Sequence, residues 1–503
     1  MNQNIRFPKN NTALSFMTLA LLTVFITTSC NNKTEKPNRV IAELNIGESQ
    51  DVTLQNGEKV QLELLAIEVE TDSVRNAIRG AKVKISVDGE EITLNTGNYN
   101  FPVTVGKVKI DCPFIQAYYS TAHRDSWGLS SDARFRLWPK DSPFYDPKEF
   151  TYPIQQKWFA GMSQSGNEPT YVDWGESRTP AVYYHAGFDF GGAEGMDKIF
   201  SATDGIVIAA GKAILNGYDD FPSDVRPDVV WIKNNFGWLF RYSHLDSIIA
   251  GIKPGDLVKT GQHIGYIGKQ GHSGGWVHFH FEIKHKEVPS GKWATEDAYV
   301  YALEAYSRQH NPSLIAVARP HHLAYIGDPV TLDARKSMSF QGNIVSYEWQ
   351  FCDSTTASGA VQTKDYDMPG QYSEILKVTD SEGNVDYDFT IVQVYDKEKA
   401  QQVIPTIHPA YHPTLGIKTG DPVTFLVRTF NSTEGKEVWN FGDGSPTVEV
   451  QSETVDRKNP VTGDYAKTIH SFSKPGHYVV QVQRTNEEGL TAYGRLHVEV
   501  ENK

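Results

Sequence analysis

The run His278-Phe-His280-Phe-Glu282 alternates an ionisable side chain with a phenylalanine. Residues i and i+2 of a strand share a face, so the run reads as a β-strand. Phe279 and Phe281 would enter a core, while His278, His280 and Glu282 project together on the opposite side. A second run, His185-Ala-Gly-Phe-Asp189, sets an imidazole and a carboxylate four residues apart, and the two converge if the segment curls. Tyr242-Ser-His244-Leu245 stands between the two runs. A catalytic zinc takes three protein N or O ligands and leaves a fourth position for water. The two runs offer one carboxylate and three imidazoles, one imidazole more than that set needs.

At 503 residues the chain exceeds what one core can hold, and its length suggests three or four domains. The formal net charge of −13 argues against nucleic acid as a partner, since that would require a basic footprint. Near the N-terminus, Arg6 and Lys9 precede an apolar run from Ala13 to Ile26, followed by Thr27-Thr28-Ser29-Cys30. This is the pattern of a secretory signal, and the apolar run is short for a membrane span. A Cys directly after small residues looks like a bacterial lipobox, with Cys30 the lipidated first residue. The expectation is therefore a secreted protein held to the envelope by a lipid anchor. Asn31 is not an inner-membrane retention residue in the sense that Asp is, which favours the outer membrane. Cys112 and Cys352 lie far apart in strand-like sequence and read as buried free thiols.

The expected fold is mainly β and multidomain. After a signal and lipobox (1–30) and a polar tether (31–39), a small β-domain spans 40–112. Its Asn56-Gly57 and Asp88-Gly89 dipeptides are hairpin signals. Residues 113–179 are aromatic and irregular and read as a connector packed on the next domain. Residues 180–312 hold the histidine motifs among short strands, then a helix over Thr295–His310 with Thr295 as its cap. Two β-segments follow, 313–396 and 403–501. They share an order of strand, Trp-bearing strand (Trp349, Trp439), Pro-Gly-x-Tyr turn (369–372, 475–478) and strand. They resemble PKD domains, which are Ig-like β-sandwiches, with Trp349 and Trp439 expected as core aromatics. The second keeps Phe441-Gly442-Asp443, whereas the first has Phe351-Cys352-Asp353.

The central domain resembles the lysostaphin/LytM-type zinc metallopeptidases of bacterial cell walls (peptidase family M-twenty-three). The motifs run in order: His185-x-Gly-x-Asp189, Ala202-x-Asp204-Gly-x-Val207, Tyr242-x-His244-Leu245, Lys253-Pro-Gly-Asp256 and His278-x-His280. The resemblance implies an antiparallel β-sheet core with Zn2+ held by His185, Asp189 and His280. It makes His244 and His278 the unligated catalytic histidines. Strand alternation adds Glu282 as a carboxylate that could fix an imidazole tautomer, with a plain surface carboxylate as the competing reading. Tyr183 and Tyr184 are candidates for an oxyanion donor, although packing suits either tyrosine better. His263, His272 and His285 are expected at the surface or capping turns, and His321, His322 and His470 at β-domain edges.

Two departures mark this chain. Ser273-Gly-Gly-Trp276-Val277 replaces a shorter Pro-containing run before His278, and an insertion at Asn216–Asp228 could cover the groove. The function implied is a lipid-anchored endopeptidase acting on peptide bonds of peptidoglycan stems or cross-bridges. The PKD-like domains would space it from the membrane or contact envelope proteins or glycan. A weakly active or inactive zinc-bearing scaffold of a surface complex is the alternative, and cleavage of a non-wall protein rich in small residues a third.

Overall fold

The computed structural model describes residues 37–121, 127–171, 182–218, 225–286, 291–399, 402–456 and 458–503. The leader and Cys30 lie outside the described residues. Among them, no helix is long and apolar enough to cross a membrane, and Tyr299–His310 is the one α-helix.

The first domain packs two four-stranded sheets. One is a meander of Ser49–Thr53, Lys59–Thr71, Ile78–Val87 and Glu90–Asn95. Both hairpin signals lie at its turns, and Asp88 (φ 49°) and Gly89 (φ 88°) take the left-handed pair of a tight hairpin. Val60, Leu62 and Leu64 alternate inward against Val83 and Ile85, and all five are fully buried. The other sheet runs Val40–Leu44, Ala133–Pro139, Val108–Ile115, Val103–Val105.

Ala133–Pro139 thus forms a strand inside the stretch read as an irregular connector, and this sheet draws on residues beyond Cys112. All seven of its residues are buried, including both arginines, which by type belong on a solvent-facing side. Its two arginines are neutralised internally. Arg134 reaches Glu43 (2.5 Å) and Arg136 reaches Asp111 (2.6 Å) and Glu296 (2.8 Å). Glu296 also receives Arg39 (2.6 Å) and the Tyr301 hydroxyl (2.7 Å), with His285 Nε2 at 3.1 Å. His285 is therefore a buried member of a charge cluster, not a surface histidine. The cluster joins the first domain to the strand that carries His278 and His280. Cys112 and Cys352 are both free, the first buried and the second half-buried.

A nine-stranded sheet forms the central domain. Its order is Ala213–Ile214, Gly205–Ala210, Val230–Lys233, Leu239–Ser243, His278–Lys286, Phe188–Gly191, Ser163–Gln164. Trp293–Glu296 adds to the far end of His278–Lys286, and Leu257–Val258 pairs with the start of Gly205–Ala210. Helix formation consequently starts later than the sequence suggests. Thr295 is a strand residue paired with Lys284, the helix begins at Tyr299, and Asp297 Oδ1 accepts the Tyr299 N–H (3.0 Å). Pairing to an open strand end outweighs a local capping preference here. Phe279 and Phe281 enter the core as the alternation requires, with Phe190 and Tyr242 stacked on Phe279 at 5.8 and 5.9 Å.

The two C-terminal repeats are sandwiches with Trp349 and Trp439 buried at their centres. Their larger sheets join edge to edge through a parallel bridge, Gln371 to Ala492. Neither repeat stands away from the central domain. Arg319 binds Asp388 (3.1 Å) and the carbonyl of Gly161 (2.9 Å), and Lys157 lies 3.3 Å from Asp386. His412 meets Asp197 (2.8 Å).

Candidate metal centre

The register of the central sheet builds the site. Asp189 lies directly opposite His280 on the neighbouring strand, and Ser243 opposite His280 on the other side, which delivers His244 to the same end. His185 arrives through the turn at Gly187. That turn needs φ +120°, and a Cβ there would lie 2.7 Å from the Phe281 carbonyl and 3.1 Å from the His280 ring. Only glycine brings the His185 arm this close.

Three ligand atoms converge. His185 Nε2 is 2.9 Å from His280 Nδ1, which is 2.8 Å from Asp189 Oδ1, and His185 Nε2 is 3.2 Å from that oxygen. Such a triangle suits ligands about 2.0–2.2 Å from one small cation. Tautomers sharpen the fit. His185 Nδ1 faces the Ser165 carbonyl (3.2 Å), which can only accept, so the Nε2 lone pair points inward. His280 turns Nε2 toward the Glu282 carboxylate at 3.8 Å and Nδ1 toward Asp189. Two lone pairs and a carboxylate oxygen aimed at one buried point repel each other unless a cation lies between them. The residues present therefore fit a divalent metal.

His244 and His278 stand beside this triangle. Their rings are 4.5 Å apart, and His278 Nε2 is 3.5 Å from Asp189 Oδ2. Each directs Nδ1 at a carbonyl, His244 at Gln270 (2.7 Å) and His278 at Trp276 (3.1 Å), which leaves both Nε2 atoms bare. Burial pushes the His278 imidazolium down to about 4 although Asp189 opposes the shift. Burial also holds His244 well below its usual range, with His278 and His280 beside it. Both are neutral bases at pH 7. Burial alone would raise the Asp189 carboxyl, but His185, His278 and His280 hold it well below the carboxylate range. Glu282 is buried rather than a surface carboxylate. Lys284 (3.0 Å), Arg241 (3.1 Å) and the Thr295 hydroxyl (3.1 Å) satisfy it.

The structure thus gathers His185, Asp189, His244, His278, His280 and Glu282. Tyr184 is not among them. Its hydroxyl accepts the Ile78 N–H (2.9 Å) and its ring packs on Tyr118, inside the first domain's core. Tyr184→Phe should lower unfolding free energy by about 1–3 kcal/mol, read by chemical denaturation, because it strands that buried N–H. Tyr183 is half-buried and pairs across to Thr170. His263 is half-buried with Nε2 on the Gly265 carbonyl (3.0 Å), and His272 is exposed.

Sequence reasoning missed the residues that hold these side chains. Asp228, at the end of the insertion, accepts the backbone N–H of His244 (3.1 Å) and binds Arg226 (2.7 Å). It helps keep His244 at φ +63°, a left-handed conformation a non-glycine residue rarely adopts. Residues 219–224 of the insertion lie outside the described residues. Ser165, from residues 113–179, fixes His185 through its carbonyl. No motif marks Asp228, Gln270 or Ser165; each acts through position in the fold.

Comparison with known proteins agrees with the residues. Residues 183–291 match Peptidase family M23, and residues 311–394 and 410–498 each match a PKD domain. The "Lipoprotein NlpD" of Yersinia enterocolitica is 35% identical over 98 residues, covering 20% of this chain and 87% of that protein. The "Murein hydrolase activator NlpD" of Escherichia coli (strain K12) is 33% identical over 102 residues, 20% of this chain. The chain spans only 24% of the length of that relative. A solved "zinc containing peptidase from vibrio cholerae" aligns at 18% identity and a TM-score of 0.20, over 45% of this chain and 82% of that one.

Proposed function

This chain belongs to peptidase family M23 and carries two PKD domains, and on that basis we propose that it is a zinc metalloendopeptidase of the cell envelope. Its substrates would be peptide bonds of peptidoglycan stems or cross-bridges. The observation that carries this reading is the triangle of His185 Nε2, Asp189 Oδ1 and His280 Nδ1 with two bare imidazole nitrogens beside it. A zinc ion held by those three residues would lower the pKa of water toward ~7 and polarise a substrate carbonyl. His278 and His244 would accept a proton at Nε2 and return it to the leaving amine. Gln270 and Trp276 keep both Nδ1 hydrogens in place through that exchange, so the working nitrogen does not change. Asp228 and Ser165 hold the two arms of the site, and Glu282 sets the charge behind His280.

Cys30 would carry the lipid, with the outer membrane as the attachment favoured by Asn31. The relatives named as lipoprotein and murein hydrolase activator support an envelope address and a wall substrate. Zinc-loaded mature protein incubated with peptidoglycan should release amines, and a chelator should stop it. Absence of release at confirmed zinc occupancy would sink the reading.

A second reading is a zinc-bearing scaffold. The Trp276 ring lies flat on His278 at 3.9 Å, and the E. coli relative bears the name of an activator rather than a hydrolase. The catalytic pair distinguishes the two, because a scaffold has no chemical use for His278.

A further inference from the structure

The rim that departs from the family, Ser273-Gly-Gly-Trp276-Val277, is the part of the central domain on which the second PKD domain is seated. Arg428 Nη1 donates to the carbonyls of Gly275 and Pro460 (3.0 Å each), and Nη2 donates to that of Thr462. The Val277 N–H donates to the Tyr465 hydroxyl (2.9 Å), which is in turn 2.9 Å from His408 Nδ1. Arg428, Tyr465 and His408 are all buried. Gly275 has φ +84°, and a Cβ there would lie 2.2 Å from the Pro460 carbonyl oxygen. The second glycine of the rim is thus required by the apposed domain and not only by the turn.

The seam continues to the site. Trp276 contacts two imidazoles: His278 stacks on it at 3.9 Å and 17°, and His408 meets it edge-on at 5.3 Å and 69°. The carbonyl of the same Trp276 receives His278 Nδ1 (3.1 Å). His408 also closes on the strand bearing Asp189, since a Cβ on Gly191 would be 2.9 Å from its Nε2. Ring orientation and tautomer of His278 therefore both depend on a residue whose two backbone neighbours are tied to the PKD domain.

We propose that Tyr465 and Arg428 of the second PKD domain are positioning residues for His278, acting through the Gly275–Val277 rim and the stacked Trp276. The second PKD domain is then a wall of the catalytic cleft instead of a spacer. This deepens the endopeptidase reading and rests on it for its kinetic consequence, but not for its structural one. A side chain held by such a contact loses rate when released, and a displacement of about 1 Å can cost roughly a hundredfold.

The test uses the full chain, zinc-loaded and labelled with 15N-histidine. Tyr465→Phe removes the hydroxyl that serves Val277 and His408. Tyr411→Phe is the control, because it deletes a buried tyrosine hydroxyl of the same domain, bonded to the His497 carbonyl (2.7 Å), without touching the rim. Tyr465→Phe should displace the His278 ring resonances and lower kcat on a soluble muropeptide about ten- to a hundredfold, with KM and zinc content unchanged. Tyr411→Phe should do neither at a similar melting temperature. Should Tyr465→Phe fold poorly, Arg428→Lys keeps the charge, loses the fork across three carbonyls, and should displace the same resonances. His278 signals that superimpose on the native ones in both variants, or that move equally in Tyr411→Phe, overturn the proposal. If the native protein cleaves nothing, the endopeptidase reading fails and the ring comparison alone decides this one.

Discussion

Replacing His280 by alanine should empty the metal centre. The substitution removes one corner of a triangle whose sides are 2.8, 2.9 and 3.2 Å, leaving His185 and Asp189 as a two-point clamp. Loss of an outer partner of a zinc ligand already costs about 10–100-fold in affinity, so loss of the ligand itself should exceed about 100-fold. Hydrolysis should fall at least about 10³-fold, which is roughly 4 kcal/mol of barrier. The fold should survive. His280 pairs with Asp189 and Ser243 through backbone, and Glu282 keeps Lys284, Arg241 and Thr295 as partners. Zinc content by plasma emission, alongside amine release from peptidoglycan, checks both halves. Stoichiometric zinc in the variant would mean that the assignment of ligands is wrong.

His278→Ala separates chemistry from metal binding. His278 Nε2 lies 3.5 Å from Asp189 Oδ2, near the triangle but outside it, so zinc should stay bound at one per chain. The bare Nε2 beside the reacting bond is lost, and kcat should drop by about 10²–10⁴-fold, the usual worth of a placed acid–base group. Trp276 loses the ring it stacks on but keeps its edge-type contact with His408. An enzyme loses its cellular role with this change and a scaffold keeps it, so complementation by the zinc-replete variant distinguishes the two. Unchanged turnover would remove His278 from the mechanism.

What could be read from the sequence was what repeats with a short period. The His278–Lys286 strand declared itself because aromatic and ionisable residues alternate and the two faces meet different surroundings, a packed core and a cluster of imidazoles and carboxylates. The Asn56-Gly57 and Asp88-Gly89 turns were legible because a glycine after Asn or Asp tolerates the left-handed backbone that Gly57 and Gly89 both adopt. Ala133–Pro139 was not, since its alternation spans only Ala133 to Leu137 within an otherwise irregular stretch, and Arg134 and Arg136 looked like surface residues until Glu43, Asp111 and Glu296 were brought to them. The first helical turn was lost to Trp293–Glu296 pairing with the end of the catalytic strand. For the site itself, motif order gave the five residues that gather at the His185–Asp189–His280 triangle. Asp228, Gln270 and Ser165 were invisible because they contribute one acceptor each from places far away in sequence. Trp276 was visible only as an anomaly, and its cause lies some 150–190 residues later, in Arg428 and Tyr465.

The buried carboxylate of Glu296 has a consequence for how such a chain can be inherited. Burial alone would raise its pKa, yet Arg39, His285 and Arg136 hold it well below the usual range. Of those three partners the two cations, Arg39 and Arg136, come from the first domain. A gene fragment encoding only residues 180–312 would leave this carboxylate and His285 facing each other without either arginine. The seam at Gly275 and Pro460 imposes the same condition at the other end. Recombination that trades one module at a time would break a charge cluster or force a steric clash. The lineage is thus expected to pass on the first domain, the peptidase and the second PKD domain together, as one evolutionary unit with three names.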